Sequence, residues 1–173
     1  MRGYFAVGAE GISKPMNLGA ILRTAHAFGA SFAFSVNASH RVRDVYRADT
    51  AKSVSHVPYY EWADIDAIAL PDNCQLVGVE LTDEAVDLPA FRHPLCAAYV
   101  FGRERGSLTG EMQARCQHIV KIPTKFCVNV SVACAITLYD RTLNFGGFPE
   151  RPLMPGGPQT ATDNAEKKFG MHR

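Results

Sequence analysis

The residues of this 173-residue chain that could do chemistry gather in a few short clusters. Three apolar runs end in polar or glycine-rich text, at Glu80-Leu81-Thr82, Phe101-Gly102-Arg103-Glu104 and Ile122-Pro123-Thr124. A fourth cluster, Asn17 to Arg23, follows the first apolar run, and Asn129 and Ser131 stand just before the last long one. The sequence has no GxGxxG, no GxxxxGK[ST], no Ser/His/Asp or Cys/His arrangement, and no metal-ligand spacing among its five cysteines and six histidines. What remains is ligand binding by polar groups at strand ends, where parallel α/β sheets place their sites. Each residue also has a plainer reading. Asn17 could cap a helix, Arg23 could face solvent from one, Glu104 between Arg103 and Arg105 could make a surface ion pair, and Asn129 with Ser131 could cap the last helix.

The elements that must position these clusters are legible from periodicity. Tyr4 to Val7, Ser31 to Val36, Gln75 to Leu81, Cys96 to Phe101 and His118 to Pro123 are strand-like apolar runs. Pro15 opens a helix whose apolar face is Leu18, Ile21, Leu22, Ala25 and Phe28, stopped at Gly29. A short helix is expected around Val45 to Ala51, a weaker one from Glu61 to Leu70, one near Gly110 to Cys116, and a long one through VNVSVACAITLYDRTLNF. Strands that are continuously apolar and alternate with helices predict an α/β domain on a mainly parallel sheet. That domain is expected over 1–145, with 146–173, dense in Gly and Pro, as a flexible tail.

A net charge of +1 excludes a globally basic nucleic-acid binder but not a local basic surface. Arg41, Arg43, Arg47 and Lys52 form one, diluted by Asp44 and Asp49, so a solvated face is the alternative. No run approaches the roughly 18 to 20 apolar residues of a membrane span, and the first residues lack a signal-peptide core. A cytoplasmic protein is expected. Cys74, Cys96, Cys116, Cys127 and Cys134 read as small buried hydrophobes and the histidines as structural or surface residues.

Taken jointly, the clusters resemble the three signature motifs of the SpoU/TrmH family of RNA 2′-O-ribose methyltransferases, within the SPOUT superfamily. The first is Asn17-Leu18-Gly19-Ala20-Ile21-Leu22-Arg23-Thr24-Ala25 with Phe28-Gly29. The second is Phe101-Gly102-Arg103-Glu104, and the third is Ile122-Pro123 followed by Asn129-Val130-Ser131-Val132-Ala133 and Leu138-Tyr139. Order and spacing agree over roughly residues 4 to 143.

The resemblance implies an α/β fold closed by a deep C-terminal trefoil knot, an exception to the rule against threaded chains. It implies S-adenosylmethionine held largely by backbone at Leu81, Gly102, Ile122, Cys127 and Val128. It implies a homodimer built partly on the last helix, with active sites that combine residues of both subunits. The product would be a 2′-O-methyl nucleotide in RNA, with tRNA favoured over rRNA. The resemblance puts Arg23 at the ribose hydroxyl, where gripping the adjacent phosphate suits a guanidinium better than acting as a base. Asn17 and Glu104 would orient Arg23 or the ribose, and Asn129 and Ser131 would hold the third-motif loop and substrate. With a first strand inside the first five residues, RNA is expected to be gripped by the catalytic dimer itself, through Arg41, Arg43, Arg47 and Lys52. Lys167, Lys168 and Arg173 in the tail are a weaker candidate surface. Two departures stand out. Arg105 and Ser107 occupy positions the family usually gives to glycine, which predicts a different backbone path there, and Lys125 to Val128 shortens the third-motif loop. The altered second motif is what would suit the alternative, an inactive RNA-binding or assembly protein on the same fold.

Overall fold

The computed structural model describes residues 4–42, 57–104 and 106–146. In chain order the elements are β1 (Tyr4–Glu10), α1 (Pro15–Phe28), β2 (Phe32–Val36), β3 (Tyr59–Trp62), β4 (Gln75–Val79), β5 (Val86–Asp87), a 3-10 turn at Leu88–Ala90, β6 (Cys96–Phe101), α2 (Gly110–Arg115), β7 (His118–Lys121) and α3 (Val130–Phe145). Among the described residues the strands form a seven-stranded sheet in the order β3-β2-β1-β6-β4-β7-β5. Every pairing is parallel, as the continuously apolar strands predict. Both faces are covered. Leu18, Ile21, Leu22 and Ala25 of α1 join Cys134 and Leu138 of α3 on one side, and Leu108, Met112, Ile65 and Ile68 cover the other. No helix among the described residues is long and apolar enough to cross a membrane.

The expected helix over Glu61 to Leu70 is absent. Tyr59–Trp62 is instead an edge strand, paired to β2 from Ala33↔Tyr59 to Val36↔Trp62. Its rings explain the choice: Trp62 packs on Phe34 at 4.9 Å and Tyr60 meets Phe32 edge-on at 5.5 Å, contacts a helix would scatter. The chain then turns where the Asp64 carboxylate accepts the Ala67 N–H at 2.8 Å. The expected helix at Val45 to Ala51 lies outside the described residues, as does the tail from 147. The cysteines are less uniformly buried than their apolar neighbours suggested. Cys134 is buried, Cys74, Cys96 and Cys116 are half-buried, and Cys127 is exposed because its loop lies outside the sheet.

One polar cluster lies inside this apolar frame. Arg141 of α3, 2% exposed, donates to the carbonyls of Pro94 and Leu95 at 2.7 Å each and to the Tyr99 hydroxyl at 3.1 Å. Phe5, Tyr99 and Phe145 surround its guanidinium. His93 bridges Tyr99 and Asp140 at 2.6 and 2.8 Å. Burial lifts the Tyr99 hydroxyl to about 12 against the pull of Arg141, and burial likewise lowers His93 in spite of Asp140. A buried guanidinium is tolerated only when its donors are met, and here they fasten the last helix to the start of β6.

Candidate active site

The carboxyl ends of β4, β6 and β7 point to one side of the sheet, and the loops leaving them enclose a cavity of about 360 Å³. Leu81, Gly102, Ile122, Cys127 and Val128, named from three separate loops, all line it. Gly102 is required by close approach: a Cβ there would lie 2.9 Å from the Leu108 N and 3.1 Å from the Ser107 carbonyl carbon, because the loop folds back over it. The departures in the second motif cost little where they are described. The left-handed position is filled by Gly106, at φ +147°, so Ser107 is spared it. Arg105 lies outside the described residues.

Glu104 is the hub of the polar wall. Its carboxylate accepts from the Ser13 N–H at 3.2 Å, the Ser13 hydroxyl at 2.9 Å, the Lys14 N–H at 2.9 Å and the Asn17 amide at 3.1 Å. Burial pushes this carboxyl up, but the hydrogen bonds from its own backbone, Asn17, Ser13 and Lys14 outweigh it and hold the group below its ordinary value. Among the described residues it makes no ion pair. Asn17 does not cap α1 either, since the cap position is Lys14 and has no side-chain cap bond. Buried at N3, Asn17 turns instead to Glu104 and accepts from the Asn129 amide at 3.4 Å. Asn129 caps α3, accepting the Ser131 N–H at 2.8 Å and the Ser131 hydroxyl at 2.7 Å. Glu104, Asn17, Asn129 and Ser131 thus form one hydrogen-bonded chain across three elements. For Asn129, capping and membership of the chain coexist.

Arg23 is not part of that chain. It lies exposed on α1, does not line the cavity, and meets no hydrogen-bond or ion-pair partner among the described residues. Arg41 is exposed at the end of a described segment, and Arg43, Arg47 and Lys52 fall outside the described residues.

Two acids escaped the sequence reading as positioning groups. Glu80 accepts the Leu81 N–H at 2.9 Å and the Leu108 N–H at 2.7 Å. Glu10, 5% exposed, accepts the Thr109 N–H and hydroxyl at 2.9 and 2.6 Å. Both stand at strand ends, which is the one signal that marked them. Together with Glu104 they fix the 102–109 loop from three directions, while Lys121 holds the 82–83 backbone at 3.1 Å. Among the described residues no group of His, Cys, Asp and Glu is arranged to hold a metal ion.

Comparison with known proteins agrees with this geometry. Residues 4–139 match the model of the SpoU rRNA methylase family. A tRNA (guanosine(18)-2′-O)-methyltransferase of Escherichia coli K12 is 33% identical over 137 residues, covering 76% of this chain and 59% of its own length. A 23S rRNA (guanosine-2′-O-)-methyltransferase of Coxiella burnetii is 30% identical over 139 residues, covering 76% and 55%. The chain therefore spans a little over half the length of these relatives. Among solved structures, an AdoMet-bound rRNA methyltransferase from Sinorhizobium meliloti superimposes with a TM-score of 0.69 at 25% identity, over 83% of this chain and 57% of that one.

Proposed function

The chain belongs to the SpoU rRNA methylase family, and from that premise we propose that it moves a methyl group from S-adenosylmethionine to a ribose 2′-hydroxyl of RNA. The observation that carries this reading is the cavity at the strand ends, lined on one side by Glu104 and Asn129, to which Asn17 and Ser131 are hydrogen-bonded without lining it themselves. Its size suits a small cofactor. Exposed Leu81 and Val128 give it apolar wall, and Gly102 leaves a cradle that a Cβ would fill. Leu81, Gly102, Ile122, Cys127 and Val128 would hold S-adenosylmethionine, which supplies an electrophilic methyl group. In our reading the backbone of these loops binds and the glutamates behind them keep the loops from shifting. Asn17 and Asn129 orient the ribose, and Ser131 fixes the Asn129 amide through its own hydroxyl. Arg23 grips the phosphate beside the reacting hydroxyl, since a guanidinium stays protonated and matches a phosphate with two donors.

The position of Arg23 away from the cavity supports a homodimer in which it serves the partner's site. Val132, Ile136, Tyr139 and Leu143 recur along one face of α3, and Val132, Tyr139 and Leu143 are exposed there. Such a stripe suits burial against a second copy. We also infer the trefoil knot, a cytoplasmic location, and tRNA as the favoured substrate, rRNA being the other class on which the relatives act. Residues 1–145 form the catalytic domain in this reading and 146–173 a tail.

Calorimetry with S-adenosylmethionine tests the reaction class, and the expected result is binding by the purified protein. Mass spectrometry of nucleosides from tRNA and rRNA of a deletion strain should then show one missing 2′-O-methyl nucleoside. Absence of cofactor binding would leave the inactive RNA-binding alternative in possession of the fold.

A further inference from the structure

Two cations stand at the rim of the cavity and belong to none of the motif roles above. Lys14 and Arg103 both line it, both are exposed, and neither side chain has a hydrogen-bond or ion-pair partner among the described residues. They come from segments 89 residues apart in sequence, yet the segments are locked together, because Glu104 takes the Lys14 N–H at 2.9 Å. Where Gly11 would carry a Cβ, the Arg103 Cβ is 3.7 Å away. The stem of Arg103 lies along the bare backbone of Gly106, whose own Cβ would meet the Arg103 Nε at 3.2 Å. The placement of Lys14 runs against local electrostatics. It is the N-cap of a 14-residue helix that has no acidic residue in its first turn, at the end where the helix dipole disfavours a cation. The nearby carboxylates do not pair directly with either cation: both oxygens of Glu104, which stands at this helix N-terminus, and both of Glu80 are engaged by N–H and O–H donors.

Two cations without an ion-pair partner at the rim of one cavity suit an anion that enters it. The cofactor's sulfonium is not that anion, and its carboxylate is the rival that the test below separates. We propose that Lys14 and Arg103 form a clamp for a backbone phosphate of the RNA strand entering the cavity. This rests on the methyltransferase reading and adds the residues by which the protomer that holds the cofactor also grips the substrate. The clamp reads no base, since phosphate contacts fix register and carry no sequence information of their own.

The test is the salt dependence of RNA binding. A pool of unmodified tRNA transcripts is titrated with wild type, Lys14→Ala, Arg103→Ala, the double variant and Arg103→Lys, with S-adenosylhomocysteine present, over a range of salt concentrations. Each lost phosphate contact lowers the slope of log K against log salt by about 0.7 to 0.9. The double variant should lose about that much, each alanine variant a part of it, and Arg103→Lys should keep the wild-type slope. Cofactor affinity by calorimetry and melting temperature should stay at wild-type values throughout. An unchanged slope in the double variant overturns the clamp. So does weakened cofactor binding with an unchanged slope, which would assign the pair to the cofactor's carboxylate. If wild type binds no cofactor, the methyltransferase reading itself fails. Cofactor binding by wild type together with an unaltered double variant sinks the clamp alone.

Discussion

Arg23 and Glu104 illustrate how differently two residues of the proposed site can be placed. Arg23 has no hydrogen-bond or ion-pair partner among the described residues, so Arg23→Ala should fold normally, bind cofactor with unchanged affinity, and lose methylation by at least about 10²-fold, the scale on which single polar catalytic groups act. Survival of activity in that variant would discard the role. Glu104, by contrast, holds four donors, and its carboxyl titrates below the ordinary value of 4.5. A carboxyl lowered on folding stabilises fully above its unfolded value, and that contribution disappears as pH falls through the folded value. Glu104→Gln should therefore unfold at lower urea than wild type at pH 7, with the gap between the two closing below about pH 4.5. A gap that stays constant with pH would show that the carboxylate's charge is irrelevant.

At the level of elements, the 102–109 loop and the α3 N-terminus set the shape of the cavity. Gly102→Ala forces a methyl against the Leu108 N and the Ser107 carbonyl carbon. Overpacking of this kind costs about 1–3 kcal/mol, and cofactor affinity measured by calorimetry should fall along with the melting temperature. Asn129→Ala removes the cap of α3 and should cost about 1 kcal/mol, largely recovered by Asn129→Asp or Asn129→Ser in stability but not in activity. Such elements were legible in proportion to their length and periodicity. The apolar face of α1, the long run of α3 and the five longer apolar strands each announce themselves locally. The edge strand Tyr59–Trp62 does not, because its identity depends on Phe32 and Phe34 across the sheet rather than on its neighbours in sequence. Two residues, Val86–Asp87, are too few to carry any period. The glutamate supports were hidden for a related reason. Glu10 meets Thr109 across 99 residues and Glu80 meets Leu108 across 28, distances over which no spacing rule applies. Glu104 was visible only through its motif, and its four partners only through the fold.

For the whole molecule, the exposed stripe on α3 leads to a test of assembly. Val132→Glu combined with Leu143→Glu should convert the proposed dimer into a monomer in sedimentation, keep the fold, and abolish methylation if Arg23 serves the opposite protomer. A monomeric but active variant would confine catalysis to one chain. Arg141 bears on how the molecule comes into being. Its three hydrogen-bond partners, Pro94, Leu95 and Tyr99, precede it by 42 to 47 residues, and the rings of Phe5 and Tyr99 flank it from strands β1 and β6. A chain emerging from the ribosome with β1 through β7 already made still leaves two carbonyls without their Arg141 donors, and the Tyr99 hydroxyl with His93 alone, beside bare aromatic rings. The native state is then reached only after synthesis has passed residue 141 and α3 has docked. Until that moment the part of one apolar face that α3 covers beside α1 is open to the solvent, the condition under which unfinished parallel sheets associate with one another.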